Sequence, residues 1–385
     1  MTLKKIILIS HLWLGMASGI IIVFLGITGC MLAFETEIET LQTYRHVSPQ
    51  EQSFLPPSVL KETATQLLPG KTLHSVLYGS KKEAAQMIFY SGLDYYYVIF
   101  MNPYTGKVLK VKNMDKDFFR IIINGHYYLW LPPNIGQPIV ALATFIFLIL
   151  LITGIVLWWP RNKAATKQRF TLRWNVRWRR RNYDLHNVLG FYMTWVAIFL
   201  ALSGMVMGFQ WFAKSVYWAS SGGKTLPEYY EPVSHKLASD TASVSAEDKV
   251  YQIMKASYKN AENIEVHYAA NDSSAIAVAA NPDPSTYWKT DYRYFDQYSL
   301  KEIPVTHLYG RYKNASVADK IARMNYDVHT GEVLGLAGKI LAFFASLIAA
   351  SLPITGFYIW WGKKHKKKRA RETYSRPVLL QGTAV

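Results

Sequence analysis

The chain has 385 residues, half of them hydrophobic and 15% aromatic, and a formal net charge of +17. Its mean hydropathy of +0.03 fits neither an ordinary soluble enzyme nor a chain spent wholly inside the bilayer. Cys30 is the only cysteine, which excludes an intramolecular disulfide; with no CxxCH or CxxC, covalent c-type haem attachment is excluded and no cysteine zinc or iron–sulfur site is suggested.

Four apolar stretches, near 7–34, 135–159, 187–212 and 338–361, are long enough to cross about 30 Å of hydrocarbon, which takes roughly 20 residues each. The first follows Lys4 and Lys5 but far exceeds the roughly 7–15 apolar residues of a signal peptide, and no small-x-small site closes it. It reads as an uncleaved anchor. The chain then divides into a first span (1–34), an external segment (35–125), a pre-helix with the second span (126–160), a basic loop (161–183), a third span (184–213), a second external segment (214–335), a fourth span (336–361) and a basic tail (362–385).

In the first external segment, Pro56-Pro57 opens a helix over Ser58 to Leu68, stopped by Pro69-Gly70. Alternating residues predict strands at His74–Tyr78, Ala85–Tyr90, Tyr95–Met101 and Lys107–Val111, with a turn at Asn102-Pro-Tyr-Thr-Gly106. The second segment repeats the order, with a helix over Ala246–Lys259 and strands at Ile264–Ala269, Ser274–Ala279 and Tyr287–Phe295. FMNPYTGKV from Phe100 aligns in phase with YFDQYSLKE from Tyr294, placing Tyr104 on Tyr298 and Lys107 on Lys301. Each segment reads as a small α+β unit.

Basic residues cluster at Lys4 and Lys5, at nine positions from Arg161 to Arg181, and at eight from Lys363 to Arg376. Set against Asp184 and Glu372, these nineteen account for the whole +17, and the other 24 basic and 24 acidic residues cancel. This is the positive-inside pattern, with both termini and the Arg-rich loop cytoplasmic and the large segments outside, periplasmic if the cell is Gram-negative. A nucleic-acid partner is not expected from the run Arg177 to Arg181; the lipid bilayer is. Trp158-Trp159 and Trp360-Trp361 read as interfacial anchors, and the tyrosines of the external segments as sheet core and membrane belt.

The spans repeat. HLWLG from His11 and HNVLG from His186 each lead, at the same distance, to a hydroxyl–glycine pair, Thr28-Gly29 and Ser203-Gly204. The other two spans follow His126 and His329 and end in TGIVLWW and TGFYIWW. The fold class is therefore a membrane protein of four transmembrane α-helices in two parallel repeats, related by a pseudo-two-fold axis along the membrane normal, with two external α+β domains. Topology puts His11 and His186 near the cytoplasmic face and His126 and His329 near the external face, too far apart to mix. Two imidazoles facing across a helical bundle suit a six-coordinate haem iron, an inner one on His11 and His186 and an outer one on His126 and His329. Gly15, Gly190, Gly29 and Gly204 would allow close approach of a macrocycle or a neighbouring helix. Prolines 132 and 133 break the chain after His126, placing it on a short helix above the span. His46, His74, His235, His267 and His307 read as ordinary residues of the external segments, and His365 belongs to a lipid-facing tail. No Walker loop, GxGxxG loop or nucleophile elbow occurs, so electrons would come from a quinol or a separate cytoplasmic reductase.

These phrases resemble the PepSY-associated transmembrane family: HLWLGMASG with ITG, GHYYLWL running to LITGIVLWWP, DLHNVLG with LSG, and YDVHTGEVLG running to LPITGFYIWW. The resemblance covers nearly the whole chain and implies PepSY-like external domains. Its characterised type, the inner-membrane ferric-siderophore reductase, implies two haem b groups on His11, His126, His186 and His329, and a ferric siderophore as acceptor. Family members commonly carry Arg after the histidine at the second span's opening; Tyr127 stands here, so no basic propionate partner is implied at that place. Against this stand a haem-free siderophore or peptide transporter, disfavoured by almost wholly apolar span interiors, and a PepSY regulatory or peptidase-inhibitor module, which leaves the four histidines without a role.

Overall fold

The computed structural model describes residues 1–92, 94–160, 166, 169–236 and 245–374, with side chains as far as His365. Parts of the basic loop between Arg161 and Gln168, and the tail beyond Tyr374, lie outside the described residues. The helices are α1 (Leu3–Leu32), α2 (Glu35–Thr40), α3 (Pro57–Leu67), α4 (Phe118–Tyr128), α5 (Pro133–Trp158), α6 (Trp178–Gly208), α7 (Gln210–Ser220), α8 (Ala246–Ser257), α9 (Val317–Arg323), α10 (Asn325–Thr330) and α11 (Gly335–Tyr374). Four of them, α1, α5, α6 and α11, are long and apolar enough to cross a membrane.

These four close into a ring. α1 packs on α5 and α11, and α6 packs on the same two, so α1 and α6 face each other diagonally. Small residues let the backbones meet: a Cβ on Gly26 of α1 would lie 2.7 Å from the Ser346 carbonyl and 2.8 Å from the Ala350 side chain of α11. The bundle core joins Leu151, Met193, Ala197, Ala201, Ala345 and Ala349. Trp159 and Trp361 are exposed, as interfacial anchors should be, but Trp158 is buried. It stacks on Phe191 of α6 with ring centroids 3.8 Å apart, so it ties helices together instead of anchoring them in lipid.

At one end of the bundle the two external segments join into one antiparallel sheet, where the sequence suggests two units. Among the described residues its order is β4-β3-β2-β1-β5-β6-β7-β8, with β1 Leu73–Tyr78, β2 Ala85–Ser91, β3 Tyr95–Met101, β4 Val108–Asn113, β5 Asn263–His267, β6 Ile276–Asn281, β7 Asp291–Phe295 and β8 Glu302–Ile303. The order is symmetric about the β1–β5 seam, where Val76 pairs with Val266. Joining leaves the central strands no open edge, the hazard that separate four-stranded sheets would carry. One face buries Val76, Met87, Phe89, Ile99, Val266 and Val278 beneath α3 and α8. The two helices are themselves linked, because Ser58 donates from both its amide and its hydroxyl to Asp248, at 2.8 and 2.5 Å. The phase of the two turn phrases holds: Asn102 Oδ1 accepts the Tyr104 amide at 2.9 Å and Asp296 Oδ1 accepts the Tyr298 amide at 3.0 Å. Gly106 and Leu300 both take left-handed backbone, φ +71° and +57°.

Beneath the sheet, the chain turns sharply between α4 and α5. Leu129 and Trp130 both have positive φ, 55° and 56°, before Pro132 and Pro133. The Trp130 indole donates back to the Ile121 carbonyl at 2.8 Å and packs edge-on against Phe24 of α1 at 5.2 Å. This lays α4 against α1. On the opposite side, Asp327 of α10 is fully buried and accepts the amides of Tyr287 and Trp288 at 2.9 and 3.0 Å. Burial pushes its carboxyl up from the usual range, and the two amides pull it back.

Lys339, 4% exposed in the first turn of α11, joins these parts: its ammonium donates to Glu332 at 2.9 Å and to Glu37 of α2 at 3.0 Å. Lys339→Met should leave the buried Glu332 carboxylate uncompensated and cost about 3–5 kcal/mol. A lowered melting temperature in detergent, largely restored by Lys339→Arg, is the expected measurement; an unchanged melt would show that the network contributes little.

Candidate functional site

The four histidines sit in two layers. His11 of α1 and His186 of α6 lie on diagonal helices at the end away from the sheet. His126 of α4 and His329 of α10 lie at the sheet end, ring centroids 6.2 Å apart and planes at 63°. Seventeen residues separate His11 from Thr28, and seventeen separate His186 from Ser203. At 1.5 Å per residue the layers stand about 25 Å apart along the helices.

Each imidazole is held by a hydroxyl from a neighbouring helix. His11 Nδ1 meets Thr153 Oγ1 at 2.8 Å, His126 Nδ1 meets Thr28 Oγ1 at 2.8 Å, His186 Nδ1 meets Thr355 Oγ1 at 2.9 Å, and His329 Nδ1 meets Ser203 Oγ at 3.0 Å. The tautomer follows from proton counting. Each hydroxyl already donates its only proton to the carbonyl one turn back: Thr153 to Ile149, Thr28 to Phe24, Thr355 to Ser351 and Ser203 to Phe199. With the hydroxyl proton on that carbonyl, the hydroxyl oxygen accepts and Nδ1 carries the hydrogen. At His329 the Leu200 carbonyl, also 3.0 Å from Nδ1, requires the same tautomer. A neutral imidazole protonated at Nδ1 leaves its lone pair on Nε2. Among the described residues no hydrogen bond reaches Nε2 of any of the four, and none of these atoms is sealed in among buried unpartnered groups.

The glycine after each hydroxyl makes room for the ring. A Cβ would stand 3.6 Å from His11 Cε1 at Gly154, 3.7 Å from His126 Cε1 at Gly29, 3.3 Å from His186 Cε1 at Gly356 and 3.4 Å from His329 Cε1 at Gly204. Of the four glycines singled out in the sequence, Gly29 and Gly204 therefore belong to the histidine sites. Gly15 and Gly190 face only Leu150 and Leu352, at 3.9 and 3.5 Å, which is ordinary helix packing. Gly154 and Gly356, with Thr153 and Thr355, were legible only as a repeated phrase. Two asparagines had no sequence signal beyond their place four residues before a histidine. Asn182 donates to the Thr355 carbonyl at 3.0 Å and Asn325 to the Ser203 carbonyl at 3.1 Å, bracing the hydroxyl residues that hold His186 and His329.

Of the remaining histidines, His307 is 5% exposed among Tyr229, Tyr230 and Tyr294, with Nε2 unpartnered. His74 and His267 meet each other across the β1–β5 seam. Tyr127, in the place where Arg was expected by resemblance, donates its hydroxyl to Met207 sulfur at 3.4 Å.

The donor set suits a metal held by paired neutral imidazoles. His126 and His329, with ring centroids 6.2 Å apart, are the pair that would hold an iron between them, and a haem there would supply one-electron chemistry.

Four helices long and apolar enough to cross a membrane, joined at one end to an antiparallel sheet, make this a multi-pass membrane protein. The pattern of the PepSY-associated TM region matches residues 8–363, and the chain belongs to that family. No curated protein matches the sequence.

Proposed function

We propose that the protein is a di-haem transmembrane electron carrier that reduces a ferric siderophore outside the bacterial inner membrane, releasing iron as Fe(II). The observation that carries this reading is the set of four hydroxyl-held imidazoles on two layers, with His126 and His329 facing each other. Haem b, when bound, supplies one-electron chemistry; the chain's residues fix ligands, spacing and access. The positive-inside reading of Lys4, Lys5 and the Arg-rich stretch ending at Arg181 supports a cytoplasmic side for the His11–His186 layer. That layer would take electrons from a quinol or a cytoplasmic reductase. The His126–His329 layer lies under the sheet, on the periplasmic side, where a bulky polar chelate that cannot enter the bilayer is still within reach. Fe(III) is held tightly by oxygen donors, and reduction weakens that hold.

Protein purified from haem-replete cells should carry about two acid-acetone-extractable haems per chain by pyridine haemochrome assay. Chemically reduced protein should be reoxidised by a ferric hydroxamate, with Fe(II) appearing to a ferrous-specific trap. A colourless, folded protein refutes the haem assignment. Haems that a quinone oxidises but ferric chelates do not would refute the siderophore assignment alone.

A further inference from the structure

The sheet holds a third histidine pair, again one from each half of the chain. His74 of β1 and His267 of β5 meet at the seam about which the strand order is symmetric. His74 Nε2 and His267 Nδ1 are 3.2 Å apart, with the rings nearly perpendicular at 84°. His267 Nε2 lies 3.7 Å from Glu265 Oε1, and the Ser75 hydroxyl donates to that same oxygen at 2.6 Å. The pair is on the face away from the α3–α8 core: His74 contacts Tyr90, Tyr90 contacts Tyr96, and Tyr96 lies 5.3 Å from Arg120 of α4, the helix that carries His126. This face therefore looks toward the His126–His329 layer.

We infer that His74 and His267 form a binding site for a divalent first-row transition-metal ion, with Glu265 as the carboxylate behind His267. Two nitrogens on one such ion at about 2.0–2.1 Å stand roughly 2.8–3.0 Å apart in octahedral cis positions and roughly 3.3–3.4 Å apart in tetrahedral ones. The observed 3.2 Å lies between the two, so an ion inserted into the pair needs only a small change in the nitrogen–nitrogen distance. In the metal-free pair one proton lies between the two nitrogens. Binding moves it to the far nitrogen of its own ring, and no proton leaves the protein. If the proton belongs to His267 it passes to Nε2, facing Glu265, the carboxylate–histidine–metal arrangement that orients a ligand and raises its basicity. If it belongs to His74 it passes to Nδ1. Imidazole suits iron, zinc, copper and nickel alike, and Fe(II) is the ion that the proposed reduction would release beside this face.

The site itself does not rest on the haem reading. Calorimetric titration of the full-length, tag-free chain with Zn(II) should show one saturable site that is absent from both His74→Ala and His267→Ala, while Glu265→Gln weakens it about 10- to 100-fold. The four bundle histidines remain in every variant, so any zinc they take is common to all, and failure to carry haem shows separately in the absorption spectrum. Equal zinc stoichiometry in wild type and both variants, or loss in only one of them, overturns the proposal. Diethyl pyrocarbonate labelling read by mass spectrometry checks the same point: Zn(II) should protect His74 and His267 together, and protection of neither counts against the site.

Discussion

His126→Ala and His329→Ala are each expected to empty or convert one and the same haem site, the sheet-side one, and to leave the other spectrum intact. His11→Ala and His186→Ala should do the same to the opposite site. The pairing follows from reach: about 25 Å of helix separates the layers, whereas His126 and His329 stand 6.2 Å apart. A bis-imidazole iron deprived of one ligand turns high-spin or is lost, so haem content should fall toward about one per chain, or a low-spin signal should halve. Redox difference spectra of the four full-length variants decide it. If His11→Ala and His126→Ala strip one common haem, the two-layer arrangement is wrong. Only the sheet-side pair of variants should also abolish reoxidation by a ferric chelate.

The spans and the histidine pairs were legible because they rest on signals local to the sequence. Apolar runs of membrane length report themselves, and a repeated HxxLG or TG phrase needs no tertiary contact to be seen. The strands of the external segments were also largely readable, since alternation and the Asn102 and Asp296 turns are local. What could not be read is the edge-to-edge joining of β1 and β5: it depends on two strands about 190 residues apart finding each other, and either segment alone has the pattern of a complete small unit. The short helices α9 and α10 escaped notice for a related reason. A stretch of six or seven residues shows no full amphipathic period, and α10 is fixed by Asp327 accepting two amides from a distant loop. The roles of Thr153 and Thr355 were hidden for a different reason. In a membrane helix a hydroxyl most often satisfies its own i−4 carbonyl, and only the structure shows that it also hydrogen-bonds a histidine.

The other large effect is expected from filling the space beside an imidazole. At Gly356 a Cβ would already stand 3.3 Å from His186 Cε1, and at Gly204 3.4 Å from His329 Cε1. Alanine demands a shift of a few tenths of an ångström; leucine places further carbons where the ring lies and must push it off its hydroxyl. Gly356→Leu should therefore lose the His11–His186 haem and Gly204→Leu the His126–His329 haem, as completely as removing the histidine. Gly15→Ala and Gly190→Ala meet only leucine methyl groups and should leave both spectra unchanged. Thr355→Val separates room from polarity: it keeps the shape but removes the hydroxyl partner of His186, at a cost of about 1 kcal/mol. Haem should then bind about 10- to 100-fold more weakly, because the ring is free to adopt the other tautomer. Thr355→Ser should restore binding, since serine does the same work at position 203. Retention of both haems with unaltered spectra in Gly356→Leu would mean that His186 is not a ligand, whatever the hydroxyl beside it does.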